Sequence, residues 1–377
     1  MIPSLQTASP NPVRHSACKR GGILPTVTLA LLALLALAPL GIFSVCRAQS
    51  FTPQQLRILE NAITDTGVTM GQIPSISKPD YLSVYDAALS MEADEQVFIA
   101  RFPNNIHIYP QRILVYHEVI NEEVDGTPVS VTYSPLSGSL VGYKGHVGRY
   151  DTNFGVAGGL LNANSLLFDY ATGSLWPQLL GVAIKGPLTG ATLERFPLLW
   201  STWNRASEAF PSAQVLSRTT GFRRQYGRDP YGGYSNPESY YHAQTISHPV
   251  RNVDNRLPPK ERIVGIERDE LRYALAYGDV ERAGVVNFAM GVVPMVAIWD
   301  RQLQTIRVYE RLLAGKTLEF NMRDGKVVDT ATSSEWSADG RARFGSLRET
   351  VLTPVLAVDA MWFSWIAFFP DTFLVGH

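Results

Sequence analysis

A chain of 377 residues, 45% apolar and 18% charged, has the composition of a globular protein with room for one large domain or two. Both cysteines, Cys18 and Cys46, fall in an N-terminal leader, which excludes cysteine catalysis, disulfides and Cys-bearing zinc sites from the remainder. The leader also holds four Lys/Arg and no Asp/Glu; the 29 basic and 34 acidic residues that remain give no support for a nucleic-acid binder.

The leader covers residues 1–48. Arg14, Lys19 and Arg20 precede a charge-free run from Gly21 to Cys46 containing ILPTVTLALLALLALAPLGIFSV. A basic n-region followed by an apolar h-region directs export, so the expected location is periplasmic or extracellular. Cleavage at Ala48 is one outcome, and retention of residues 23–45 as a membrane anchor is another, since the run is long enough to span. Lipidation at Cys46 is the third, disfavoured by Val45 where a small residue is wanted.

Residues 49–95 form an N-terminal helical segment, with an amphipathic helix over TPQQLRILENAIT opened by Thr52-Pro53. Apolar alternation bounded by turn residues predicts strands at VSVTYS, SLVGYKG, NSLLFDY and GVAIKG within residues 96–218. A helix follows at STWNRASEAF, with Ser201 as its N-cap. Residues 219–265 are a Tyr/Arg-rich connector dense in Gly, Pro, Asn and Asp, and so mostly turns and loop. Residues 266–377 carry strands at VPMVAIWD, TIRVYER and KTLEFNM, and a helix at DAMWFSWIAF capped by Asp359. The segment around HEVIN (117–121) fits either strand or helix. Comparison with GDVERAGVVN, opened by Asp279, favours helix, which would line up Tyr116, His117 and Ile120 on one face.

The chain repeats itself. Asp169, Thr172, Ser174 and Trp176 match Asp329, Thr332, Ser334 and Trp336 at a spacing of 160, and Leu188, Trp203 and Phe210-Pro211 match Leu347, Trp362 and Phe369-Pro370 at 159. Two tandem units, 96–218 and 266–377, follow from this. The expected fold is α+β and strand-rich: two duplicated units of short antiparallel strands, each ending in a helix, with Trp176, Trp203, Trp336 and Trp362 buried.

Residues present in both units belong to the scaffold, and polar residues present in one are candidates for function. His117 and Glu118 face Ala283 and Gly284 in the second copy, while Ser134 and Ser137 face Trp299 and Gln302. HEVIN falls one residue short of a zincin motif, because Asn121 stands where the second histidine belongs; a metal would need His107 or His146. No GxSxG elbow surrounds Ser134 and Ser137, and a serine without a base is a poor nucleophile. Asn162 and Asn164 alternate onto one side of a strand or its approach. The candidate ligand-binding set is therefore His117, Glu118, Asn121, Ser134, Ser137, Asn162 and Asn164. Each has a plain alternative: a hydrogen-bonded histidine at a helix end, serines in a Pro-containing turn, asparagines as turn formers. Binding of a small ligand or an envelope partner leads, with no cofactor implied. A hydrolase or metal-dependent enzyme using His117 and Glu118 is the alternative, and a structural envelope protein the third.

The order HEVIN, VTYSPLSGS, FGVAGGLLNANSLLFDYATGSLW, TGFRRQYGRDPYGGY and DNRLPPKERIVGI resembles the DUF3179 family, a bacterial group of unknown function, over residues 74 to 377. The resemblance implies a cysteine at the position of Ser134 and, in some members, a second cysteine or selenocysteine at that of Ser137, a CxxC-like redox or metal site. Both positions are serine here. Thiolate exchange requires sulfur, so the resemblance implies a family redox site without its thiol chemistry.

Overall fold

The computed structural model describes residues 51–376, and the expected leader at 1–48 lies outside them. The first helix, α1 (Pro53–Asn61), begins as its sequence dictates. Thr52 Oγ1 accepts from the Gln55 N–H and Gln55 Oε1 from the Thr52 N–H, a reciprocal capping box, with proline at the first turn.

Strands β1 (Gln96–Arg101) and β2 (Ile106–Pro110) form an antiparallel hairpin that runs into helix α2 (Gln111–His117). The helix stops at Glu118, whose backbone is left-handed at φ 59°, and the chain leaves as β3 (Val119–Val124). This corrects the expectation of a helix through HEVIN. His117 ends the helix while Ile120 lies in a strand, so the two share no helix face. Val119 and Ile120 pack well on a sheet, and the left-handed bend ends the i→i−4 ladder before them. Strands β4 (Thr127–Ser134) and β5 (Ser139–Lys144) complete a meander with β3.

Next come β6 (Phe154–Leu161), β7 (Asn164–Asp169) and β8 (Leu175–Pro177), joined in that order. Residues 181–186, expected as a strand, make only isolated bridges, Val182 to Thr192 and Lys185 to Leu175. Strand β9 (Leu198–Thr202) pairs antiparallel with β1, helix α3 (Trp203–Ala209) follows, and β10 (Gln214–Leu216) lies parallel to β2. Ser201 does not cap α3. It sits in β9 and donates to the Leu303 carbonyl. The connector is turns and loop apart from one short 3-10 turn, until β11 begins at Arg262.

The remaining chain builds β11 (Arg262–Arg268), β12 (Leu271–Ala276), α4 (Tyr277–Ala283), β13 (Val285–Met290), β14 (Val293–Asp300) and β15 (Thr305–Glu310). Then come β16 (Phe320–Arg323), β17 (Lys326–Asp329), β18 (Glu335–Trp336), β19 (Val358–Met361), α5 (Trp362–Phe368) and β20 (Phe373–Leu374). Asp279 lies inside α4 and Asp359 inside β19, so neither caps a helix as expected. Asp359 instead pairs with Arg262 at 3.1 Å and accepts from the Tyr277 hydroxyl at 2.6 Å.

The architecture is α+β, with short helices set among antiparallel sheets. The largest sheet has nine strands and runs Ile76–Ser77, β3, β4, β5, β19, β11, β12, β20, with Arg195–Phe196 added to β5. Strands far apart in the sequence meet where Leu140 of β5 faces Asp359 of β19. Trp176, Trp203, Trp336 and Trp362 are all buried. Asp169 Oδ2 receives the Ser174 N–H and the Trp176 indole N–H at 3.1 and 3.0 Å. Asp329 Oδ2 receives Ser334 and Trp336 in the same way, both at 3.1 Å. Among the described residues no helix is long and apolar enough to cross a membrane.

Candidate functional site

The hairpin β4–β5 closes with Ser134 opposite Ser139, across the turn Pro135-Leu136-Ser137-Gly138. Gly138 has φ 56°, and a Cβ there would meet Met361 at 2.8 Å, so this position needs glycine. Ser134, Ser137 and Ser139 are all fully buried. They are therefore no surface turn; they face the strand β7 and the segment after β8.

Five amide and hydroxyl side chains, those of Thr132, Ser137, Ser139, Asn164 and Gln178, form a buried hydrogen-bonded cluster, the serine chamber. Asn164 Nδ2 reaches Ser137 Oγ at 2.9 Å, Ser139 Oγ at 3.0 Å and Gln178 Oε1 at 2.9 Å, while its Oδ1 accepts from the Leu179 N–H. Ser139 donates to Gln178 Oε1 at 2.6 Å, and Gln178 Nε2 donates to Thr132 Oγ1 at 2.9 Å. Ser137 Oγ lies 2.8 Å from Ser139 Oγ. Ser134 is held separately, by the backbone N–H and hydroxyl of Ser165. Neither Ser134 nor Ser137 is bonded directly to a histidine or a carboxylate, so neither has the adjacent base of an activated nucleophile.

Glu118 joins the chamber from the other side. Its carboxyl is buried, and burial pushes it up to about 7, partly offset by a hydrogen bond with Ser165. Its Oε2 has no hydrogen-bond partner among the described residues. The left-handed backbone at Glu118 costs on the order of 1 kcal/mol for a residue with a Cβ. Helix α4 also ends at a residue of positive φ, Gly284 at 73°.

The other expected residues lie elsewhere. His117 Nδ1 contacts the Pro74 carbonyl at 2.7 Å and its Nε2 the Tyr226 hydroxyl at 2.6 Å. It is therefore held between Pro74 and the connector and makes no bond to the serines, and burial lowers its pKa. Asn162 is in the two-residue turn between β6 and β7, left-handed with Ala163 at φ 54° and 56°, as a type I′ hairpin requires. Its amide bonds the Ala367 carbonyl and the Arg251 N–H, so it does not share a side with Asn164. Asn121 clips β3 to β6, donating to the Phe154 carbonyl at 2.8 Å and accepting its N–H at 2.9 Å. Asn287 binds Phe320 in the same way. His107 contacts Glu122 at 3.2 Å and His146 contacts Asp151 at 2.7 Å, two separate places. Among the described residues no three His, Cys, Asp or Glu gather where a metal could be held.

Ser134–Ser139 and Asp300–Thr305 are the closing pairs of their hairpins, so the registers do not support matching Ser134 with Trp299 or Ser137 with Gln302. The serine and glutamine partners Ser139, Ser165 and Gln178 were not singled out from sequence. Only Ser139 had a signal, since a four-residue turn places it opposite Ser134.

The connector roofs this region with aromatic rings. The Tyr240 hydroxyl donates to the Leu136 carbonyl at 2.6 Å, and Tyr234 and Tyr241 stack with ring centroids 3.8 Å apart. Lys260, buried, bonds the Tyr240 carbonyl and lies over its ring at 3.2 Å; burial brings it down to about 8.

Neither the curated proteins nor the solved structures contain a significant match to this chain. The family profile described as "Protein of unknown function (DUF3179)" matches residues 70–372. With most of its length matched, the chain belongs to the DUF3179 family, whose function is unknown.

Proposed function

We propose that this is an exported binding protein of its family, periplasmic or extracellular, in which the serine chamber has lost the thiol chemistry implied for relatives. The observation that carries the reading is the unpartnered Oε2 of Glu118. A buried carboxyl with an orphan oxygen, on a backbone bend that favours glycine, is a costly arrangement for structure alone. A ligand or partner donor reaching that oxygen offsets the cost. The chamber around it offers hydroxyls and amides, which orient a polar ligand and bind soft metals poorly.

The proposal includes the tandem organisation: units 96–218 and 266–377, joined by the connector 219–265 and preceded by the helical segment 49–95 and the leader 1–48. Its support is the recurrence of registers. Val119 faces Thr132 as Val285 faces Ile298, and Trp200 faces Phe98 as Asp359 faces Val264. The Asn121 and Asn287 clips and the Asp169 and Asp329 networks recur with them. In this reading Glu118 and Ser134 are matched by Gly284 and Asp300, which supports a chamber in the first unit alone.

Native mass spectrometry of protein purified from its own envelope fraction tests this. The expected result is a small-molecule adduct on the wild type that is lost in Glu118→Gln, and no reduction of insulin disulfides by either. A bare wild-type chain, a cytosolic location or measurable reductase activity overturns the corresponding part of the proposal.

A further inference from the structure

Two clefts lie side by side, away from the serine chamber. Their volumes are about 530 and 470 Å³, and Arg101, Arg307 and Asp339 line both. Neither is lined by Ser134, Ser137 or Glu118. Cavities of this size, mostly apolar with a few placed polar groups, are the usual form of small-molecule sites.

Most charges around the shared wall are already cancelled. Arg307 pairs with Asp300 at 2.7 Å, Arg343 with Asp339 at 2.7 Å and Lys326 with Glu335 at 2.8 Å. Asp359, which also lines the second cleft, is held by Arg262. Among the described residues, Arg101 and Arg301 have no carboxylate partner. Arg301 lines only the first cleft, whereas Arg101, exposed at the end of β1, lines both. Its guanidinium lies 5.9 Å from the Phe210 ring centre.

The second cleft is otherwise walled by apolar side chains, among them Ile99, Phe102, Leu198, Ile306, Val308 and Leu352. At about 470 Å³ it has room for on the order of fifteen methylene-sized groups, taking roughly 30 Å³ for each. A hydrophobic cavity with one surplus cation at its mouth is complementary to a molecule with an apolar chain and one negative end.

We propose that the paired clefts bind an amphipathic anion, a chain-bearing carboxylate whose tail fills the second cleft and whose head pairs with Arg101. Neither half of the ligand suffices alone. An exposed arginine–carboxylate pair is worth little in water, whereas the buried chain holds the head against the guanidinium and supplies most of the affinity. The head falls on Arg101 because it alone of the two unpaired arginines borders the apolar cleft. This site goes beyond the chamber reading and stands or falls independently of it.

The test is calorimetric titration of the full-length protein with dodecanoate, dodecanol and acetate, the chain-bearing ligands kept below micelle-forming concentrations. Dodecanoate is expected to bind at one site, dodecanol at least tenfold more weakly, and acetate not at all. Arg101→Gln should weaken dodecanoate about tenfold, with Arg101→Lys recovering part of the loss. Ala357→Phe, which fills the apolar cleft while leaving Arg101 in place, should abolish binding. Circular dichroism and melting temperature verify that each variant is folded. No binding of dodecanoate to the wild type, equal affinity for dodecanol, or unchanged affinity in folded Arg101→Gln or Ala357→Phe overturns the proposal. Glu118→Gln should bind dodecanoate as the wild type does, which separates this site from the chamber.

Discussion

Ser165 presents both its backbone N–H and its hydroxyl to the oxygen of Ser134, at 3.1 and 2.9 Å, with both residues buried. Ser134 thereby ties the end of β4 to β7. Removing the acceptor leaves a buried N–H without a partner, which costs about 1–3 kcal/mol. Ser134→Ala should lower stability by that amount in urea unfolding, and Ser134→Cys, whose sulfur is a weak acceptor, by less. An unchanged midpoint for Ser134→Ala would count against the bond.

Ser134 and Ser137 bracket a hairpin turn in which the Ser137 N–H lies 3.3 Å from the Ser134 carbonyl. A turn so tight brings the two Cα atoms within the roughly 7 Å that a disulfide needs. Ser134→Cys/Ser137→Cys should therefore gain two thiols over the wild type, and both should disappear on mild oxidation. Thiol titration before and after oxidant reads the result; two thiols that persist would show that the pair cannot bridge.

Glu118 ties stability to pH with a definite sign. Its carboxyl is raised to about 7 in the folded protein from an unfolded value of 4.5, so between those values the folded state holds the extra proton. Stability is full below the lower value and falls as pH rises through the upper one, by on the order of 3 kcal/mol. Melting temperatures across pH 4 to 8 should show this fall in the wild type and a smaller one in Glu118→Gln. Glu118→Gly relieves the backbone bend as well, and should be the most stable of the three at pH 8.

The two asparagine clips predict unequal losses. Asn121 is buried, and its Oδ1 also accepts from Ser130 at 2.7 Å, whereas Asn287 is partly exposed. Water can replace the lost bonds at the second site but not at the first. Asn121→Ala should destabilise by about 2–3 kcal/mol and Asn287→Ala by about 1 kcal/mol in denaturant titrations. Equal losses would mean that burial does not set the difference.

Much of the strand pattern was legible because alternation has a short reach: VSVTYS, SLVGYKG, NSLLFDY, VPMVAIWD and TIRVYER each announce a strand within a few residues. The tryptophan anchors were legible from their spacing. The bend at Glu118 was not, since left-handed backbone at a glutamate has no sequence mark unless the glycine at 284 is read as its counterpart. Helix caps were misassigned because α3 and α5 follow directly from strands, where the preceding strand, rather than a side-chain cap, fixes the chain's entry. The chamber was half visible. Its serines and Asn164 stood out as polar residues in apolar runs, but Ser165 and Gln178 reach it only through tertiary packing. His117 stood out for the same reason as the serines, yet its partners are Pro74, 43 positions earlier, and Tyr226 in the connector, 109 positions later.

The seam between β5 and β19 bears on how the molecule is made. Strand β5 exists by residue 144, but its neighbour in the large sheet is not synthesised until residues 358–361. During elongation the edge near Leu140 is open, an unpaired apolar strand of the kind that invites pairing with another chain. A product truncated before residue 358 keeps that edge permanently and also lacks the Met361 N–H that bonds the Ser137 carbonyl. Such fragments should be caught in aggregates or by chaperones, even though every residue of the serine chamber is already present in them.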